Sequence, residues 1–281
     1  MTIIQTLVMA VLQGVSELFP ISSLGHAVIV PSLLHWNLDQ RSATFLPFLA
    51  VMHLGTAAAL LLYFSRDWIA ILSGITGRNG AEVAAQSRHI LLLIVVATIP
   101  AVIVGAVAEK PLRALFATPE IAACFLVLNG VLLLVADRLR LRRADRADRP
   151  VASLRLGDAL AVGLWQLLAF LPGISRSGAT MTGALLRGAG HEMAARFSFL
   201  IATPIIVAAT AHQLLSLRHS AGGLSGAAPM LLLAAVVAGV VAFGSTAFLM
   251  RYFREHENWA LRPFALYCIA AGIVFFALVH V

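Results

Sequence analysis

Six apolar runs, at roughly 43–64, 89–108, 119–136, 194–216, 228–250 and 263–280, restrict what this chain can become. Each approaches the ~20 residues that a helix needs to cross ~30 Å of hydrocarbon. Backbone in lipid must satisfy its own hydrogen bonds, so helices are the expected element. Of 281 residues, 60% are hydrophobic and 12% charged. A soluble domain carries about a quarter charged, so the sequence reads as an all-α polytopic membrane protein. The first apolar stretch holds Gln5, Gln13 and Glu17 and no small-residue cleavage site, so a removable signal peptide is not expected.

Four further pieces are not ordinary spans. Residues 2–19 carry Glu17 near their end and stop at Pro20; residues 22–36 begin on Ser22-Ser23 and hold His26 and Pro31. Residues 158–171 and 178–190 are short and flank the loop Pro172-Gly-Ile-Ser-Arg-Ser-Gly-Ala-Thr180. At 1.5 Å per residue the stretch 158–171 reaches only about 21 Å. The four pieces are expected to form two re-entrant helical hairpins. Non-helical backbone at that depth needs protein or a wet cavity around it.

Basic residues set the orientation. The connector 137–157 carries seven arginines; with it in the cytoplasm, 15 of the 20 Lys/Arg fall inside and four outside, leaving Arg176. The positive-inside rule favours this arrangement. It accounts for the net charge of +7 better than nucleic acid does, and no nucleic-acid partner is expected. One hairpin then enters from outside and the other from the cytoplasm, each followed by three spans. The chain is a single membrane domain, 1–281, with inverted-topology repeat halves 1–136 and 158–281 and a solvated cytoplasmic linker, 137–157. Such a plan places a site where the two broken elements meet near the midplane. Gln13…Pro20-Ile-Ser-Ser-Leu-Gly echoes Gln166…Pro172-Gly-Ile-Ser-Arg-Ser-Gly, with spacings that differ by one residue. Cys124 and Cys268 lie in apolar runs, and neither a disulfide nor a metal is assigned to them.

The two turns hold the polar chemistry. Gln13 and Glu17, four apart, share a helix face, and Glu17 alone of 13 acidic residues is embedded in an apolar run. An intramembrane carboxylate is costly, and it is paired or functional. One reading is a structural ion pair with Arg176; the serines taken singly are helix caps, and His26 taken singly is a satisfied core histidine. Together, a carboxylate, a hydroxyl, an imidazole and a guanidinium are the parts for hydrolysing a phosphate ester or anhydride. His53, His89, His191, His212 and His219 show no such company, and His53 reads as packing. No CxxC or HExxH pattern appears, nor Walker A or GxGxxG in proper context; this argues against zinc hydrolases, ATP-driven pumps and dinucleotide enzymes.

At these turns the chain resembles the undecaprenyl-diphosphate phosphatase family of bacteria, known also for bacitracin resistance. Its signatures are (E/Q)xxxE leading to P-[VI]-S-S-x-G-H, and PGxSRSxxT. Here they stand as Gln13…Glu17, Pro20-Ile-Ser-Ser-Leu-Gly-His26 and Pro172-Gly-Ile-Ser-Arg-Ser-Gly-Ala-Thr180. The likeness extends to Leu54-Gly-Thr-Ala, Leu128-Asn-Gly-Val and Phe197-Ser-Phe-Leu-Ile-Ala-Thr-Pro204.

The resemblance implies hydrolysis of a C55 polyprenyl diphosphate to the monophosphate, which recycles the lipid carrier for wall synthesis. It also implies a multi-pass protein of the bacterial cytoplasmic (inner) membrane with a site open toward the periplasm. A divalent cation (magnesium or calcium) would be held by Glu17 and Gln13. Glu17, Ser23, His26 and Arg176 would be catalytic; Ser22, Gly173, Ser175, Arg176, Ser177 and Thr180 would bind the diphosphate. The expected partners are the polyprenyl diphosphate, the bilayer and a second copy of the chain. Three positions depart from the common form: Gln13 replaces a glutamate, Leu24 a threonine and His53 a glutamine. The rival reading is a transporter or flippase for a polyprenyl phosphate or other anionic lipid, since inverted repeats and a midplane site suit both.

Overall fold

A computed structural model describes residues 2–36, 45–77, 80–115, 118–141, 150–218, 228–256 and 258–279. The described residues form eleven α-helices. These are α1 (Ile3–Ser16), α2 (Ser23–Leu33), α3 (Phe45–Tyr63), α4 (Ser65–Ile75), α5 (Ala81–Leu115), α6 (Pro119–Leu141), α7 (Leu156–Gln166), α8 (Arg176–Leu186), α9 (His191–Arg218), α10 (Ala228–Glu255) and α11 (Arg262–Val279). Short 3₁₀ turns cover Val151–Ser153 and Leu167–Phe170.

Among the described residues, Ala81–Val107, Pro119–Leu141, His191–Ala211 and Pro229–Glu255 are long and apolar enough to cross a membrane. The Phe48–Tyr63 portion of α3 and α4 (Ser65–Ile75), bent by 69° at a break, make a fifth span if they count as one. The protein is therefore a multi-pass helical membrane protein. Its outer faces carry apolar side chains such as Leu62, Val102, Val107, Val240 and Ile273, while Thr180, Ser198 and Thr246 are buried inside. Lipid makes that inversion cheap, because tails are as apolar as leucine and small polar residues then join the helices.

The structure interrupts its helices at both of the breaks expected from the sequence. α1 stops at Ser16 and α2 starts at Ser23; α7 stops at Gln166 and α8 starts at Arg176. α1 packs on α10, and α7 packs on α5 in a matching way. A Cβ added at Gly14 of α1 would sit 2.7 Å from the Ala238 carbonyl, and one at Gly163 of α7 would sit 2.5 Å from the Ala97 carbonyl. Both contacts are backbone against backbone and require glycine. α6 lies along α11, and α3 lies against both α10 and α9.

Charged residues gather at one end of the bundle. Arg187 pairs with Asp158 at 2.6 Å, Arg254 with Glu192 at 3.2 Å, and Arg196 with Asp67. Below them His191 Nε2 meets Asp137 Oδ1 at 2.6 Å, and Asp137 Oδ2 accepts the Leu261 N–H. The expected solvated linker departs from this picture at both ends. α6 continues to Leu141 with Asp137 buried, and Val151 and Leu154 are buried too. His89 meets the Leu154 carbonyl at 2.8 Å and ties that end to α5. Residues 142–149 lie outside the described residues.

Candidate active site

The two turns are built by the same local device. Ser22 caps α2 by accepting the N–H of Gly25, and Ser175 caps α8 by accepting the N–H of Gly178, each at 3.2 Å. Serine is favoured at this position because its oxygen takes up one of the orphan N–H groups of the first turn. Ser23 and Arg176 therefore occupy the same place, the first residue of a capped helix. Ser22 has φ +70°, a strained setting for a residue with a side chain. His26 helps to hold it, with Nδ1 donating to the Ser22 carbonyl at 2.7 Å.

Both first residues reach one carboxylate. Ser23 Oγ donates to Glu17 Oε2 at 2.6 Å, and Arg176 Nη2 donates to Glu17 Oε1 at 3.1 Å. Gln13 donates its amide to Oε2 at 3.1 Å. His53 Nε2 lies 3.3 Å from the same oxygen. His53 Nδ1 donates to the Leu49 carbonyl at 2.8 Å, so the contact from Nε2 to Oε2 needs a proton on one side or the other. Glu17 is 7% exposed and is compensated by a guanidinium and three further groups. Without them a carboxylate at membrane depth costs about 2.5–3.5 kcal/mol or more.

The turns are also stitched to each other. Asn129 of α6 donates to the Pro20 carbonyl at 2.8 Å and accepts the Ser175 N–H at 3.0 Å. Ser177 Oγ donates to the Phe19 carbonyl at 3.1 Å, and Ser175 Oγ reaches it at 3.4 Å. This network fixes the distance between Glu17 and Arg176 independently of their own bond.

A cavity of about 270 Å³ opens on the ion pair. That is room for several waters or a charged headgroup. Glu17, Ser22, Ser23, Ser175 and Arg176 line it, joined by His53 and Gln166. Ala101, Phe170, Ile205, Ile206 and Ala209 supply an apolar wall.

Five expected site residues stand elsewhere. His26 follows Ser23 by three residues and turns away, its Nε2 accepting from the Tyr267 hydroxyl at 2.8 Å in a separate apolar groove. Gly173, at φ +103°, faces α6, where an added Cβ would meet the Ala122 carbonyl at 2.2 Å. Ser177 is fully buried on the Phe19 carbonyl, and Thr180 on Ser198 at 2.7 Å. Gln13 is buried beneath Glu17 and does not line the cavity. Conversely, His53, Asn129 and Gln166 were not singled out for the site. An ionisable or amide side chain inside a span was the available signal.

A protein-only cation site does not fit these residues. Among the described residues no three His, Cys, Asp or Glu side chains converge. Both oxygens of Glu17 are engaged, and Gln13 turns its donor nitrogen toward them. A hard cation takes several oxygen ligands, which this arrangement does not offer.

Fold and site together define a multi-pass helical membrane protein with a carboxylate–guanidinium–hydroxyl centre in a small cavity. Residues 6–274 match the family described as bacitracin resistance protein BacA. The chain belongs to that family. It is 58% identical over all of its length, and 98% of the other chain, to an undecaprenyl-diphosphatase of Gluconacetobacter diazotrophicus. It is 56% identical to one of Acidiphilium cryptum, covering 97% of this chain and 96% of that one. An undecaprenyl-diphosphatase 2 of Chromobacterium violaceum is 45% identical, with 98% of each chain covered.

Proposed function

We propose that the chain hydrolyses undecaprenyl diphosphate to undecaprenyl phosphate and inorganic phosphate, recycling the lipid carrier of cell-wall synthesis and conferring bacitracin resistance. The observation that carries this reading is the 2.6 Å hydrogen bond from Ser23 to Glu17 beside Arg176, in a chain whose whole length is similar to proteins named for that activity. A hydroxyl donating to a carboxylate, next to a cation, is the geometry of an activated nucleophile. Anion transport does not call for it.

In this mechanism Ser23 Oγ attacks the terminal phosphorus and gives its proton to Glu17 Oε2. The bond from that phosphorus to the bridging oxygen breaks, and the proton passes on to the leaving undecaprenyl phosphate. Arg176 stabilises the charge that develops there. Glu17, again ionised, takes a proton from water, which attacks the phosphoserine. Inorganic phosphate leaves, and the proton returns to Ser23 Oγ. His53 holds the shared proton beside Oε2. His26 acts indirectly, by holding the strained Ser22.

The wider arrangement is part of the same proposal. Six spans, with α11 and the bent α3 among them, and two hairpins entering from opposite faces make an inverted repeat of 1–136 and 158–281. Support comes from the matched packing of α1 on α10 and α7 on α5, and from the shared Ser-x-x-Gly caps. The ion-paired end would face the cytoplasm of the bacterial inner membrane and the cavity the periplasm. A second copy of the chain is a proposed partner, and nucleic acid is not. A divalent cation, magnesium or calcium, is proposed only as a companion of the phosphoryl oxygens, and no step above runs through it.

The test is phosphate release from C55 diphosphate by purified protein in detergent, with and without a chelator. Release is expected. A protein that binds the lipid yet releases nothing, even with magnesium or calcium added, would return the transporter reading.

A further inference from the structure

Among the described residues that line the cavity, Gln166 has both polar atoms of its side chain unpartnered. It is 2% exposed and lines the cavity, yet neither Nε2 nor Oε1 finds a hydrogen-bond partner among the described residues. Because both ends of the amide are unpartnered, its orientation does not matter. Arg176 Nη1 is in the same condition, while its Nη2 is committed to Glu17. Burying an unpaired amide is costly, so unpartnered donors on two residues that line one cavity call for a ligand that brings acceptor oxygens to Nε2 and Nη1.

The position of Gln166 narrows the choice. It ends α7 three residues after Gly163, just as Glu17, the cap of α1, follows Gly14 by three. Its counterpart is therefore Glu17 and not the Gln13 of the sequence echo. Two similar hairpins thus send one side chain each into the cavity from equivalent places. Glu17 arrives saturated with partners and Gln166 with none. Glu17, Ser23 and His53 form the polar end, from α1, α2 and α3. Gln166 belongs instead to α7, which packs on α5, the helix that contributes Ala101 to the apolar wall.

We infer that Gln166 and Arg176 Nη1 together seat the lipid-proximal phosphate of the diphosphate, and so make Gln166 a substrate-binding and specificity residue. This rests on the proposed hydrolysis and deepens it. An amphiphilic substrate must lie with the phosphate joined to its isoprenoid nearest the apolar wall, which leaves the terminal phosphate to Ser23. A carboxamide suits the inner seat because it donates to a phosphoryl oxygen without adding charge beside the Glu17–Arg176 pair. A seat for the inner phosphate also separates substrate from inorganic phosphate, which offers nothing to it once the terminal phosphate is occupied.

Gln166→Leu and Gln166→Met keep the side-chain length or bulk and remove the hydrogen bonds. The full chain is purified in detergent, and the KM and kcat for C55 diphosphate are measured beside the melting temperature without lipid. KM is expected to rise about 10- to 100-fold, the range for losing a hydrogen bond to a charged group, with kcat less affected. The melting temperature is expected to hold or rise, because the free protein loses only an unpaired amide. An unchanged KM in a folded variant, whatever its melting temperature, overturns the inference while leaving the proposed function standing. Failure of the wild type to release phosphate would instead remove the function on which it rests.

Discussion

The two breaks, between α1 and α2 and between α7 and α8, share a local plan and differ in the side chains they present. At each, a helix ends and the chain restarts on a serine that caps the N–H three residues on. The first presents Glu17 and Ser23, the proposed base and nucleophile, hydrogen-bonded to each other at 2.6 Å. The second presents Gln166 and Arg176, donors of which part stays unused. It is also longer, because the 3₁₀ turn Leu167–Phe170 is inserted ahead of the cap. That insertion brings Phe170 into the cavity wall. Two turns capped in the same way would thus serve, under the proposed function, one for reaction and one for binding. The difference lies in the side chains at equivalent places and in the length of one turn.

The comparison breaks first at the bond that joins the halves. Glu17→Ala or Arg176→Ala alone should lower phosphate release by about 10²–10³-fold or more. Each also leaves a buried charge unpaired, which costs about 3–5 kcal/mol. A single variant therefore confounds chemistry with stability. The double variant Glu17→Gln, Arg176→Met removes both charges and should recover most of the melting temperature while remaining inactive. Phosphate release by the folded double variant would mean that the pair is structural, and that the division between a reactive and a binding half is mistaken.

What could be read from the sequence follows from what membranes forbid. Glu17 and Arg176 stood out because charge inside apolar runs is expensive, and the two breaks stood out because proline, glycine and serine interrupt them. The hydroxyls were harder. Ser177 and Thr180 sit in the same motif as Arg176, yet they point into the fold and hold Phe19 and Ser198. His26 shares a motif with Ser23 but lies three residues on, toward Tyr267. His53 and Asn129 lay hidden for a different reason. A helix that is apolar all round has no polar face from which to read direction, so a lone polar residue in it does not say which distant turn it meets. The bend between α3 and α4 at Phe64 has neither proline nor glycine to announce it, and Arg66 and Asp67 made that stretch look like a loop.

Asn129 offers a middle-sized test, because it belongs to neither turn and ties both. Asn129→Leu leaves the Ser175 N–H unpaired, at about 1–3 kcal/mol, and leaves the Pro20 carbonyl only the weak Cys268 thiol donor at 3.8 Å. A clear drop in melting temperature is expected, with lower kcat because Glu17 and Arg176 lose their spacing. Asn129→Asp keeps an acceptor for Ser175 and loses the donor to Pro20, so it should fall between wild type and leucine. If Asn129→Leu melts with the wild type, the turns are held by their serines alone.

His53 should give the smallest effect and the finest distinction. It touches Glu17 Oε2 from α3, while Arg176 binds the other oxygen, Oε1. The first hairpin already has Ser23 and Gln13 on Oε2, so His53 adds a proton reservoir and is not needed to hold the carboxylate in place. His53→Gln keeps a donor near that oxygen and removes the titrating ring. Turnover at neutral pH should change by less than about tenfold, below the usual contribution of a general acid–base group. The pH profile is where the two side chains must differ. Wild-type kcat is expected to change with pH as the imidazole exchanges its proton, and the variant to lose that part of the profile. Superimposable profiles would assign the shared proton to Glu17 and Ser23 alone, and confine the acid–base work to the first hairpin.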